Sequence, residues 1–153
     1  MHIIRDSREK KGIWEFTCEE CESVTVQTLK TGDYTLRGCE DILCIERKRT
    51  VTEFCNNVTD KRFKNELERM QVCKYRFLIL EFSIDDIMRF PVGSSIPKYK
   101  WSKLRVTGKF MMAAISRMQV HYNVHVIFAG DRDNAILTAT NIMRRVHSEY
   151  LDK

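Results

Sequence analysis

The sequence predicts an α/β fold, a mixed central sheet flanked by helices on both faces. Three observations predict it. Short β-branched or apolar runs crowd the first third of the chain. Tyr75 to Phe82 is almost entirely apolar, Arg76 apart, as a strand covered on both sides should be. From there to the C-terminus, segments of helical periodicity alternate with strand-like runs.

Taken in order, His2 to Arg5 is a short strand, and the polar stretch Lys10 to Glu22 reads as helical. Val24 to Lys30 alternates and is β-branched, which suits a strand. Gly32-Asp33 is a turn or bulge signal, after which Tyr34-Thr35-Leu36 resumes extended structure. Arg37 to Asp41 is a loop and Ile42 to Lys48 a strand. Thr50 or Thr52 can cap a helix reaching Val58, and Asp60 the next, on which Phe63, Leu67 and Met70 share a face. Ser83 caps a short helix that stops before Pro91, and Pro91 to Trp101 is a loop. Leu104 to Tyr122 is helical, with Met111, Ile115, Met118 and Tyr122 on one stripe. Val124 to Ala129 is a strand. Asp131 or Asp133 caps a last helix that carries Ile136, Thr140, Met143, Val146 and Tyr150 on one side.

A chain of 153 residues without repeats, low-complexity tracts or Pro/Gly/Ser-rich linkers reads as a single domain, 1–153. No apolar run approaches the roughly 20 residues needed to span a bilayer. Charges arrive at Arg5 and Asp6, which leaves no room for a signal-peptide core. The expectation is an intracellular protein, cytoplasmic or nuclear, with no membrane partner. The excess of 26 Lys and Arg over 21 Asp and Glu, a net +5, suits a polyanionic partner without demanding one. Six cysteines without an export signal are read as reduced. Cys18 and Cys21 followed by Cys39 and Cys44 are compatible with a zinc-stabilised binding module, or with buried thiols. His2, His121, His125 and His147 show no ligand spacing, which argues against a histidine-centred nucleophile system.

The chemistry-bearing stretch is Gly32-Asp33-Tyr34 followed by Ile45-Glu46-Arg47-Lys48. Alternation along a strand puts Glu46 and Lys48 on one face. Pairing of the flanking strands as a hairpin would bring Asp33 opposite Glu46. Mg²⁺ prefers hard oxygen ligands and takes one or two carboxylates, keeping positions for water and phosphate. The ion makes water more acidic and offsets charge on phosphorus oxygens, and a nearby lysine can orient the water or stabilise charge. Such a set suits metal-assisted phosphodiester hydrolysis. The bland alternative is a solvated hairpin edge with a salt bridge.

Asp6-Ser7-Arg8-Glu9, Gly32-Asp33-Tyr34-Thr35-Leu36 and Ile45-Glu46-Arg47-Lys48, in this order and spacing, resemble the nuclease domain of the XPF family of structure-specific endonucleases. Arg62-Phe63 and the run Phe77-Leu78-Ile79-Leu80-Glu81 fit as well. The resemblance covers residues 3 to 82 and is only generic from 102 to 150. It implies a restriction-endonuclease-like fold of the PD-(D/E)XK superfamily and cleavage of DNA, at branches or junctions, with Mg²⁺ or Mn²⁺. It would make Asp33 and Glu46 metal ligands and Lys48 the catalytic lysine, with Asp6 near the metal and Arg8 on phosphate. Arg47, on the other strand face, would be structural or phosphate-binding. Two departures stand out. The family pattern has an Asp where this chain has Thr52, with Glu53 just after it, and no helix-hairpin-helix pair is visible. The competing reading is an inactive nuclease-fold scaffold that binds DNA beside a partner subunit. The complete Asp, Glu and Lys set favours activity.

Around this core, Lys61, Arg62, Lys64 and Arg69 are candidates for DNA phosphate contacts. Lys98, Lys100, Lys103, Arg105 and Lys109 surround Tyr99 and Trp101, which could stack on bases or fold back on the domain. Met111, Met112, Ile115 and Met118 read as core, or in part as a homodimer surface on the late helices.

Overall fold

The computed structural model describes residues 1–152. Its six strands form one sheet, with helices on both faces. The strands are β1 (His2–Asp6), β2 (Ser23–Gln27), β3 (Tyr34–Leu36), β4 (Leu43–Lys48), β5 (Tyr75–Leu80) and β6 (His125–Phe128). The helices are α1 (Val51–Asn57), α2 (Lys61–Arg69), α3 (Ile84–Arg89), α4 (Gly108–Tyr122) and α5 (Arg132–Tyr150). The spatial order is β2-β1-β3-β4-β5-β6. β1–β3 and β3–β4 are antiparallel, while β1–β2, β4–β5 and β5–β6 are parallel.

Alternation along β4 divides the core. Cys44 faces a layer holding Phe54 of α1, Phe63 and Leu67 of α2, and Met111, Ile115 and Met118 of α4. Leu43 and Ile45 face the opposite layer, with Trp14 and with Ala135, Ala139, Met143 and Val146 of α5. Glu46 and Lys48 share the parity of Cys44 and continue the strand on the α1–α2 side. The predicted caps hold: the side chains of Thr50, Asp60, Ser83 and Asp131 accept from backbone N–H groups in the first turns of α1, α2, α3 and α5.

Several expectations are corrected. Residues 10–22 are not helical, because Trp14 is a core anchor instead. Its ring stacks on Tyr34 with centroids 4.8 Å apart, and its Nε1 donates to Glu81 Oε1 at 2.6 Å. α4 begins later than predicted, at Gly108 after its Thr107 cap. A Cβ at Gly108 would lie 2.5 Å from the Ile87 carbonyl oxygen, so glycine allows α3 and α4 to approach. The core reading of Met111, Ile115 and Met118 holds, since all three are buried, while Met112 is only partly buried. A zinc quartet does not form: Cys39 lies in the α5 layer and Cys44 in the other. All six thiols are free, and no helix among the described residues is long and apolar enough to cross a membrane.

Candidate active site

At the carboxyl end of β4 the sheet opens into a cleft of about 410 Å³, bounded opposite by α2. Asp6, Arg8, Glu9, Asp33, Glu46 and Glu66 are among its lining residues. Gly32 sets the entry. Its φ is +79°, and a Cβ there would stand 2.6 Å from Cys44 Sγ. Only glycine fits that left-handed, crowded position. The turn puts Asp33 beside β4. Asp33 N donates to Ile45 O at 2.8 Å, and Arg47 N donates to Asp33 Oδ2 at 2.9 Å. With Tyr34 registered on Ile45, the next positions along are Asp33 and Glu46.

Glu46 is 4% exposed. Its Oε1 accepts from Lys48 Nζ at 2.9 Å, whereas its Oε2 is buried with no hydrogen-bond partner. Burial works against the charge on Lys48, but the adjoining Glu46 carboxylate wins, and the lysine pKa is raised. Lys48 is thus favoured in its charged form by the Glu46 carboxylate. It lies 5.0 Å from the centroid of the Phe63 ring, screened from the cleft behind Glu46. Burial, then repulsion from Glu46 and Glu9, raises the Asp33 pKa well above the carboxylate range. Such crowding of acids is relieved by a cation.

Asp6 and Arg8 form a unit. Asp6 Oδ1 accepts from the Arg8 backbone and Nε at 2.8 and 2.7 Å, while Oδ2 accepts from Arg8 Nη2 and Leu29 N at 2.9 and 2.8 Å. Burial opposes the Asp6 charge, but these donors overcome it, and its pKa is lowered. The resemblance implies a place for Asp6 near a metal, and Asp6 lines the same cleft as Asp33 and Glu46. Both of its carboxylate oxygens accept from donors that aim Arg8, whose side chain is 65% exposed at the cleft. Arg47 is corrected outright as a DNA contact. It is 3% exposed, pairs with Glu9 and Glu81 at 2.9 Å each, and donates to the carbonyls of Lys11 and Gly12. It ties residues 9–14 to the sheet.

α2 is split. Arg62 and Arg69 face the carboxylates, whereas Lys61 and Lys64 line a separate groove towards α4, beside Arg117. Glu53 is exposed, and its Oε2 accepts from Arg49 N at 2.9 Å, which completes the cap of α1. Trp101 folds back, its Nε1 donating to Ile96 O at 2.9 Å, while Tyr99 stays 74% exposed.

The residue that sequence reasoning missed is Glu66. It lines the cleft in side-chain contact with Glu46, and burial followed by the Glu46 charge pushes its pKa up to about 8. The available signal was an acid at the margin of the Phe63–Leu67–Met70 stripe. Its meeting with Glu46 depends on where α2 packs.

The donors fit a hard divalent cation. Asp33 and Glu46 keep one carboxylate oxygen each outside protein hydrogen bonds. Among the described residues no three His, Cys, Asp or Glu side chains already converge as a cage. Two carboxylates are enough to seat Mg²⁺, which keeps water and phosphate in its shell. The pair does not suit a structural zinc, which takes a closed set of four ligands, mostly cysteine sulfur and histidine nitrogen.

Comparison with known proteins gives the family of the domain. A curated relative, the 3'-flap repair endonuclease Xpf of Saccharolobus solfataricus, is 28% identical over 134 residues, covering 86% of this chain and 50% of its own length. The chain thus spans about half the length of that relative. The structure of XPF from Aeropyrum pernix matches with a TM-score of 0.65 at 20% identity, covering 99% of this chain and 67% of that one. The same protein in complex with DNA matches at 0.68 and 20% identity, over 98% and 66%. At that identity the likeness establishes the shared fold. The ERCC4 domain model matches residues 5–141, through β4, α2 and most of α5, and on that match the chain belongs to the ERCC4 domain family.

Proposed function

We propose that this chain is the nuclease domain of a DNA endonuclease that hydrolyses phosphodiester bonds with Mg²⁺ or Mn²⁺. The observation that carries the reading is the meeting of Asp33 and Glu46 on neighbouring strands, with Glu46 Oε2 buried and unpartnered at a polar cleft. Bound there, the ion would supply a more acidic water and offset charge on the phosphate.

The chain's own groups divide the remaining work. Asp33 Oδ1 and Glu46 Oε2 hold the cation. Lys48 fixes Glu46 by its 2.9 Å ion pair and keeps a positive charge behind the carboxylates. Arg8, held bidentately by Asp6, presents its guanidinium to a phosphate. Arg62, whose side chain is 94% exposed, and Arg69 offer backbone-neutralising contacts along α2. A duplex branch is the preferred substrate class. That preference rests on the name of the flap endonuclease relative.

The test is cleavage of labelled duplex, flap, fork and four-way-junction DNA with Mg²⁺ or Mn²⁺. Wild type cuts at least one substrate and stops with EDTA. Asp33→Asn and Lys48→Ala lose cutting by about 10²-fold or more, the scale on which removing a group that stabilises transition-state charge acts. Equal cutting by wild type and both variants refutes the site. Tight binding by wild type without any cutting favours the inactive scaffold.

A further inference from the structure

Two carboxylates in direct contact inside a half-enclosed cleft repel unless something positive lies between them. Glu66 and Glu46 are such a pair. Glu46 comes from the end of β4 and Glu66 from the cleft-facing side of α2, and their side chains touch across the cleft. Glu46 has one oxygen committed to Lys48, and the other is buried without a donor. No cation among the described residues donates to that oxygen. Lys48 is taken by Oε1, Arg8 is bound to Asp6 and the Leu29 carbonyl, and Arg69 lines the cleft beside Glu66, where its charge only partly offsets the crowding. Arg62 lies out at the rim, 94% exposed.

We propose that Glu66 is a third protein ligand of the divalent cation, sharing it with Glu46 Oε2 opposite Asp33, so that α2 belongs to the metal site as well as the sheet. This rests on the nuclease reading for the existence of the cation, but it concerns a residue that reading does not use. Glu46 is the charged neighbour that weighs most on both Asp33 and Glu66, which makes it the centre of the trio. As they stand, the three do not close on one point. The Glu66 side chain has the rotatable bonds to complete the shell, whereas Asp33 is held by the Arg47 amide. A flexible third carboxylate suits an ion that exchanges water for phosphate during its work. Because α2 also carries Arg62 and Arg69, metal occupancy and the phosphate contacts become linked through one helix.

The rival explanation is that Glu66 serves only as a proton-bearing hydrogen-bond partner of Glu46. Glutamine separates the two. Its amide can donate to Glu46 Oε2 as a protonated carboxyl would, but it offers the cation a neutral oxygen in place of a charged one.

The experiment measures Mn²⁺ binding to the intact chain by calorimetry and by loss of the free-ion electron paramagnetic resonance signal, with no DNA present. Wild type, Glu66→Gln, Glu66→Asp and Asp33→Asn are compared, each checked for folding by circular dichroism. The expected result is binding by wild type, weakening of about tenfold or more in Glu66→Gln, and a smaller loss in Glu66→Asp, since losing one charged ligand is on the order of a hydrogen-bonded ion-pair loss. Wild-type affinity in Glu66→Gln overturns the inference, and the two-carboxylate site stands. If wild type binds no Mn²⁺, the inference falls together with the metal-dependent reading. Should Glu66→Gln fail to fold, Glu66→Asp decides: unchanged affinity there, with Asp33→Asn weakened, also overturns it.

Discussion

Arg47 and Lys48 are adjacent cations on one strand with opposite fates. Strand parity turns Lys48 to the face of the sheet that carries Glu46, and Arg47 to the Trp14 layer. The Arg47 guanidinium suits its place because it is planar and carries several donors, which meet Glu9, Glu81 and two carbonyls at once. Removing it strands two largely buried carboxylates, whose side chains are 13% and 8% exposed. Arg47→Ala should therefore cost about 3–5 kcal/mol, the range for breaking a buried pair by deleting one partner. Urea unfolding of the metal-free protein reads this, and a loss under about 1 kcal/mol would return Arg47 to the DNA-binding candidates. The pattern Glu-Arg-Lys says which residues share the end of the strand, but not that the middle one fastens residues 9–14 to the sheet.

Strands and helices contribute unequally to the cleft. β3 and β4 hold it through main-chain geometry, and the Gly32 turn is where that geometry is most exacting. Gly32→Ala would force a left-handed φ of +79° on a residue with a Cβ and press that Cβ to 2.6 Å from Cys44 Sγ. The conformation costs about 1–2 kcal/mol and the overpacking about 1–3 kcal/mol. The expected outcome is a stability loss of that combined order and weaker metal binding, because Asp33 follows directly. Adding Cys44→Ala should relieve the 2.6 Å clash, but neither the 3.2 Å approach to the Ile45 carbonyl oxygen nor the conformational part. A Gly32→Ala protein as stable as wild type would mean the turn relaxes freely. Caps and apolar stripes made α1, α2, α3 and α5 legible in the sequence. Residues 10–22 were misread because their polarity gave no sign that Trp14 is anchored by partners 20 and 67 positions away.

For the whole molecule, the cleft stores electrostatic repulsion that the fold must sustain. Asp33 and Glu66 both have pKa values above those of the unfolded chain, with Glu66 at about 8. A group shifted upward binds its proton more tightly when folded. Its contribution to stability is complete below the unfolded value, near 4.5 for Glu66, and disappears as the pH rises through about 8. The metal-free domain should thus melt at a lower temperature at pH 9 than at pH 6. Saturating Mn²⁺ should recover most of the difference, since an ion bound only by the folded state stabilises it. Melting curves at both pH values with EDTA and with Mn²⁺ decide this. A metal-free melting temperature that climbs towards pH 9 would contradict it. On the other face, α5 and the Trp14 segment give the sheet a second apolar layer, so the cleft stands at the end of a fully buried β4, paired with the buried half of β5.

By itself the sequence determined the α/β class, most element positions and the identity of Asp33, Glu46 and Lys48 as partners. Those depend on local rules: period, capping, and the alternation that puts Glu46 and Lys48 on one side. Only the tertiary structure decided that Asp6 serves Arg8, that Arg47 is internal, that α2 sends Arg62 and Lys64 to different grooves, and that Glu66 reaches Glu46. Each of these is a contact between segments distant along the chain, set by how helices and loops pack on a twisted sheet, and no short-range pattern encodes such a meeting.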